Sequence, residues 1–407
     1  MLQEMFNFAK IISSSSSMKR ICFLTDSIFS FGGVQRVTAV IAKELSKEYD
    51  VTVVTFDKPS DKETSLYGLQ EADIKYRFFS YPEVKALKNK VCKAYSFAYR
   101  RLLPQTRLTS DLYNYSSFPS EKRDALAKEL IQGHYDVIIG DHAPLAIRLA
   151  GIKNQLNNSK LIGWVHNSFE ALYGKDSLYI GQELKRHYVY QLRKLDATVV
   201  LCQHDAESYR QYDRMMNPTV IYNPLTLVPG EQSKGTSKKF LAVGRFSHLH
   251  KGFDLLIDAF HLFAQKDKEW SLDIVGEGPE EALYRKKITD YGLEERVFLH
   301  PFTNNVQQYY SNAQVYVLSS RWEGFGLVLV EAMAHGLPVI SSDLPTSKEI
   351  LGDLGLFFEN GNVEQLALRL EDATRIHWHE TSEQAIKRAN DFAVAAITKQ
   401  WKELIES

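Results

Sequence analysis

A chain of 407 residues, 44% apolar and 24% charged, has the make-up of an ordinary globular protein and the length for two domains with separate cores. A formal net charge of −1 excludes the strongly basic character of a dedicated nucleic-acid binder. Three cysteines, Cys22, Cys92 and Cys202, stand at unrelated spacings, which excludes both a disulfide framework and a cysteine metal cluster. Cys22 and Cys202 sit in apolar runs and read as buried free thiols, which suits a reducing cytoplasm.

Residues 1–17 lack the apolar centre of a secretory signal and end in five serines before Met18. They are expected to be a disordered leader, with the fold starting at residue 18. No apolar run is long enough to span a membrane. The run 20–25 reads as a strand, 34–47 as an amphipathic helix and 51–56 as a second strand. Strands over 136–140, 161–165 and 197–201 continue this alternation, which is the pattern of parallel βαβ units. Between 223 and 238 the chain is rich in Pro, Gly and Ser, as a linker is. A second set of strands follows over 239–244, 271–275, 297–300, 315–318 and 338–341. The predicted fold class is therefore α/β, two Rossmann-like domains with parallel sheets: 18–224, then 225–384, with a helical tail over 385–407. Two such halves facing each other would place a ligand cleft at the carboxyl ends of their strands.

Within the first half, the segment 85–107 holds seven Lys or Arg and no acid, interleaved with Leu87, Val91, Tyr95, Phe97, Tyr99, Leu102 and Leu103. Such a helix is either a solvated basic face or one that lies on an anionic membrane surface.

The richest stretch is 321–341. Gly324 and Gly326 allow close backbone approach and positive φ, and they open into an apolar helix predicted over 327–334. The unpaired N–H groups and positive dipole end of that helix face the glycine turn, a ready phosphate site. Glu323 precedes the helix and Glu331 is placed about two turns into it, so the acids can reach different parts of one ligand. Phosphate at the helix start and hydroxyls at the acids together suggest a nucleotide-sugar.

Glu323-x7-Glu331 with Gly-Phe-Gly between and Gly336-Leu-Pro-Val after resembles the donor motif of family-4 retaining glycosyltransferases of GT-B fold. Phe31-Gly-Gly-Val-Gln-Arg36, Val243-Gly-Arg-Phe246 followed by Lys251-Gly, and Ile274-Val-Gly-Glu-Gly-Pro279 match in the same order. One such pattern is weak; several in register across most of the chain are strong. The resemblance implies a first domain that holds the acceptor, a second that holds the nucleotide-sugar, and a last helix returning to the first domain.

It also implies roles. Gly32 and Gly33 would let donor phosphate and acceptor meet near the first domain, although the dinucleotide G-x-G-x-x-G fingerprint is absent. Arg245 and Lys251 would be the fixed cations of a departing diphosphate. His166, which ends a strand and precedes Asn167, would lie at the reaction centre, either bonding a sugar hydroxyl or organising the acceptor. Glu323 would face the donor sugar and Glu331 the ribose hydroxyls. Gly276 would turn near the nucleotide, Phe302 near its base, and Gly324, Phe325, Gly326 and Leu327 would offer amides to the distal phosphate. His248 and His250 are expected to be bystanders.

The activity so implied is transfer of a hexose or N-acetylhexosamine, with retained configuration, from a nucleotide-sugar, expected to be a UDP-sugar, to a hydroxyl of a lipid-linked oligosaccharide during surface polysaccharide synthesis. The enzyme would be cytoplasmic, at the inner face of the membrane. The nucleotide-sugar is a co-substrate; neither cofactor nor metal is expected, since no Asp-x-Asp ends a strand. A nucleotide-sugar epimerase, or a non-catalytic sugar-nucleotide-binding partner of another transferase, are the alternatives.

Overall fold

A computed structural model describes residues 18–407 apart from 157, 176, 178, 248 and 249. The predicted leader over 1–17 and His248 lie outside the described residues.

The first sheet comprises β1 (Arg20–Thr25), β2 (Asp50–Thr55), β3 (Ile74–Phe78), β4 (Val137–Asp141), β5 (Lys160–Trp164), β6 (Ala197–Val200) and β7 (Thr219–Val220), in the order β3-β2-β1-β4-β5-β6-β7. Its centre is parallel, with Ile21 opposite Val51 on one side and Val137 on the other. All of β1 beyond Arg20 is buried. Helices cover both faces of such a strand, so it reads as a continuous apolar run rather than an alternating one.

The second sheet comprises β8 (Lys239–Val243), β9 (Ser271–Val275), β10 (Val297–His300), β11 (Val315–Leu318), β12 (Val339–Ser342) and β13 (Gly355–Phe358), in the order β10-β9-β8-β11-β12-β13. It too pairs in parallel. Phe240, Phe260, Phe263 and Trp270 are at the centre of its core, with Phe240 and Trp270 ring centroids 4.5 Å apart. Strand order reverses direction between β8 and β11, and a parallel sheet leaves a crevice beyond its carboxyl ends at that point.

The chain forms two compact units. One runs to Val165 and includes Arg186–Thr198 and Ile405–Ser407; the other holds His166–Lys185 and Val199–Leu404. In the first unit Glu406 receives hydrogen bonds from Lys19 at 2.8 Å and Tyr49 at 3.0 Å. The helical tail is broken, contrary to expectation: Trp378–Ala389 and Val394–Glu406 are separate helices. Fully buried Phe392 sits at the break, and its carbonyl accepts from Leu225 N at 2.7 Å. That carbonyl is satisfied outside the helix, so the ladder does not run through it.

The helix Phe253–Lys266 starts just beyond β8, capped by Gly252 at φ 63°. A Cβ there would lie 2.0 Å from the Ser319 carbonyl oxygen, whereas Gly292, at the same φ, has nothing within 4 Å. Gly292→Ala should therefore cost only the left-handed strain, about 1 kcal/mol. Gly252→Ala should cost at least about 2 kcal/mol more, because rigid backbone must move. Urea midpoints of the two variants measure the difference; equal losses would refute the clash.

Candidate active site

The loops that leave β8, β9 and β11 are locked together by backbone contacts. Gly244 N donates to Val275 O at 3.0 Å and Phe246 N to Glu277 O at 2.8 Å. A Cβ on Gly276 would fall 1.9 Å from Gly244 O, and one on Gly278 2.1 Å from Phe246 O. Gly276 thus has a reason to be glycine within the fold itself: two strand-end loops touch there.

Lys251 follows β8 and Glu323 follows β11, the two strands at the reversal. Their side chains form an ion pair of 2.6 Å, with 16% and 8% exposure. Ser320 Oγ donates to the same Glu323 Oε1 at 2.6 Å. Burial alone would raise the Glu323 carboxyl. The Lys251 ammonium, His250 and the hydrogen bonds from Lys251 and Ser320 outweigh it and hold the group below its ordinary 4.5.

More contacts clasp these loops. Arg321 grips Asp254 bidentately at 2.9 and 2.7 Å. Ser319 Oγ donates to Lys251 O at 2.8 Å, and Arg321 N to His250 O at 2.9 Å. The His250 ring stacks on Trp322 at 4.7 Å with 10° between planes, and its Nε2 lies 2.5 Å from Trp322 O. Since a carbonyl only accepts, Nε2 carries the proton. Burial lowers the His250 pKa despite the opposing pull of Glu323. His250 is therefore part of the frame that aims Glu323, not the bystander that spacing suggested.

Gly326, at φ 82°, caps the helix Leu327–Ala334. A Cβ on Gly324 would stand 2.2 Å from the His166 carbonyl oxygen. The buried His166 and the glycine turn are thus brought together through their backbones. Phe325 is a packing residue by its side chain, with Phe392 at 5.8 Å. Leu327 opens the helix, where its amide belongs to the set without an intrahelical acceptor.

Glu331 is the fifth residue of its helix, about one turn in rather than two. Its carboxylate accepts from Tyr310 OH at 2.9 Å and is 2% exposed. Tyr310 stacks on His335 at 4.9 Å, and His335 Nδ1 lies 2.7 Å from Glu331 O. That proton placement leaves Nε2 to accept from Gly230 N at 3.3 Å. A neutral ring fits both bonds, in keeping with a pKa lowered by burial. Tyr316 is fully buried, and both carboxylates act on it electrostatically. Tyr310, Tyr316, His335 and Ser320 carry no motif signal; only their packing reveals them.

None of the contacts described above involves the remaining expected residues. Arg245 is exposed and has no ion-pair partner among the described residues. Phe302, past β10, is 47% exposed. Gly32 and Gly33 belong to the first unit, where extended Gly32 precedes the helix Gly33–Leu45 and its N–H donates to Tyr67 OH at 3.1 Å. Among the described residues no group of three or more His, Cys, Asp or Glu side chains is placed to hold a metal ion. No helix among them is long and apolar enough to cross a membrane.

The family pattern described as Glycosyltransferase Family 4 matches residues 31–227, and that of Glycosyl transferases group 1 matches 227–392. The chain is a family-4 glycosyltransferase of GT-B fold. This glycosyltransferase is 28% identical over 401 residues to an uncharacterised glycosyltransferase of Haemophilus influenzae, covering 95% of this chain and 100% of that one. It is 25% identical over 402 residues to the amylovoran biosynthesis glycosyltransferase AmsD of Erwinia amylovora, with the same coverage of 95% and 100%. Among solved structures, Anabaena HepE in complex with UDP and glucose superposes with a TM-score of 0.72 at 21% identity, over 96% of this chain and 100% of that one. TarM superposes with a TM-score of 0.73 at 16% identity, over 97% and 100%. These two likenesses concern the fold. An epimerase of the same architecture is not favoured.

Glu323→Gln strands the largely buried Lys251 ammonium and should cost about 3 kcal/mol near neutral pH. A carboxyl lowered by folding stabilises fully above its unfolded value and loses that contribution as pH falls through the folded one. The gap between wild type and Glu323→Gln should thus narrow below pH 4.5. Urea midpoints as a function of pH read it; a gap constant through that window would contradict the ion pair's role.

Proposed function

We propose that this enzyme transfers a hexose or N-acetylhexosamine from a UDP-sugar to a hydroxyl of a lipid-linked oligosaccharide, with retention, in surface polysaccharide synthesis. The observation that carries the reading is the Lys251–Glu323 pair, at 2.6 Å, beside the start of the Leu327–Ala334 helix. Support for a UDP-linked donor comes from HepE, described in complex with UDP and glucose. Support for polysaccharide synthesis comes from AmsD, named for amylovoran.

In this reading the diphosphate rests against the amides of Phe325, Gly326 and Leu327. Lys251 has three donors, so it keeps its bond to Glu323 while turning another toward a phosphate oxygen; exposed Arg245 closes over the same charge. These fixed cations stabilise the charge that accumulates as the glycosidic bond breaks. The protein supplies them itself, so no metal is required. Glu323, tied to Lys251 and Ser320, orients the donor sugar rather than attacking it. The acceptor hydroxyl adds on the face the diphosphate leaves, and a phosphate oxygen takes its proton. Glu331 bonds the ribose hydroxyls, Gly276 and Phe302 border the nucleotide, and His166 bonds a sugar hydroxyl. Gly32 and Gly33 belong to the first domain, 18–224, which holds the acceptor. The enzyme works at the cytoplasmic face of the membrane, which it contacts through the segment 85–107.

Assaying a panel of UDP-sugars for UDP release should reveal a cognate donor, with turnover unaffected by EDTA. Lys251→Ala should lower release at least about a hundredfold, and Glu331→Ala should abolish it. Proton NMR of the glycoside formed should show the donor's anomeric configuration. Unchanged release in both variants, or an inverted product, would refute the assignment.

A further inference from the structure

The unit that contains β1 carries a helical hairpin between β3 and β4 whose outer surface is of a different kind from the rest of the molecule. Its helices are Ala86–Arg101 and Arg107–Ser117. They pack on each other by their inner faces: Tyr99 and Tyr113 stack at 4.5 Å, Tyr95 OH donates to Thr109 O at 3.1 Å, and the Ser96 and Ser116 hydroxyls lie 3.0 Å apart. Buried Ser110 and His187 Nδ1, at 2.8 Å, tie the second helix to the Gln182–Leu192 helix.

The outer faces are left apolar. Leu87 is 77% exposed, Val91 63% and Phe97 64%; Leu102 in the turn is 75% exposed and Leu108 71%. With Leu112 and Tyr115 these make seven of the eighteen large apolar side chains exposed among the described residues, all within one short segment. Leu87, Val91 and Ala94 follow helical spacing, as do Leu108, Leu112 and Tyr115. No fold-internal reason accounts for two such stripes on neighbouring helices.

The charges on the hairpin that lack an ion-pair partner among the described residues are of one sign. Lys85, Lys90, Lys93 and Arg101 are exposed and have no ion-pair partner among the described residues. Lys88 is held by Glu121 at 2.7 Å, and Asp111, the acid of the second helix, is taken up by Lys194 at 2.5 Å. The hairpin also borders a groove of about 580 Å³ lined by Lys93, Lys122, Ser96, Ser116 and Asn89, with Glu83 on its wall. Apolar stripes flanked by unopposed cations match an anionic interface, into which such a face sinks by a few ångströms while the cations meet headgroups.

We propose that the outer face of this hairpin, centred on Leu87, Val91, Phe97, Leu102 and Leu108, rests on an anionic lipid leaflet, with Lys90, Lys93 and Arg101 against its phosphates. This deepens the lipid-linked acceptor reading above and rests on it for its biological sense, but its physical basis is separate.

The full chain should co-sediment with phosphatidylglycerol-containing vesicles and not with pure phosphatidylcholine vesicles. The triple variant K90Q/K93Q/R101Q should bind the anionic vesicles at least about tenfold more weakly. L87S/F97S should weaken binding as well, with thermal midpoints unchanged because both positions are exposed. UDP release without vesicles should be the same in all of these proteins. Protein that binds anionic vesicles yet turns over no UDP-sugar would support the docking face and sink the UDP-sugar donor reading alone. Equal binding of wild type and K90Q/K93Q/R101Q would overturn the proposal. So would a wild-type dimer in sedimentation velocity that L87S/F97S converts to monomer, since the stripes would then cover a second copy.

Discussion

The second unit depends on one short ion pair. Lys251 enters from the loop after β8 and Glu323 from the loop after β11, the strands between which the sheet order reverses. An ammonium and a carboxylate so nearly buried would be costly if separated, so the pair pins the two loops to each other. The rest of the clasp enforces the same register: Arg321 on Asp254, Ser319 on the Lys251 carbonyl, and His250 flat on Trp322. A charged pair thus stands preorganised where a parallel sheet opens its crevice.

Glycines play a supporting part that is mostly steric. Gly252, Gly276, Gly278 and Gly324 stand where another residue's carbonyl oxygen already occupies the place of a Cβ. Three of these approaches join the loops after β8, β9 and β11; the fourth seats the His166 carbonyl against the Gly324–Gly326 turn. The Leu327–Ala334 helix begins beside these loops, and its first amides have no intrahelical acceptor. A diphosphate needs that combination of bare amides and a fixed cation.

Much of this was legible beforehand, and for clear reasons. The strands inside each sheet are covered on both faces, so their apolar runs stood out: Arg20–Thr25, Ser271–Val275 and Val315–Leu318 have the predicted bounds, as does the edge strand Val297–His300. Strands β3, β7 and β13 went unseen. All three are sheet edges: Lys75 and Arg77 in β3 and Gly355 in β13 break the apolar pattern, and β7 has only two residues. The Gly324–Gly326 turn and its helix were legible because glycine next to an apolar run is a local signal. The bounds of that helix were as predicted, but Glu331, its fifth residue, lies about one turn in rather than two, because a turn takes 3.6 residues.

Sequence alone determined the α/β class, the two sets of parallel strands, the family and the short list of acids, cations and glycines, since each of these is written in local periodicity or in a spaced motif. Only the tertiary structure decided that Lys251 meets Glu323, that His250 belongs to that frame, that Glu331 is seated by Tyr310 and His335, and that Arg245 is left exposed. Those facts join residues tens of positions apart. Such contacts are set by the order of strands in a sheet and by how side chains fill the space between loops, and neither leaves a trace in a linear pattern.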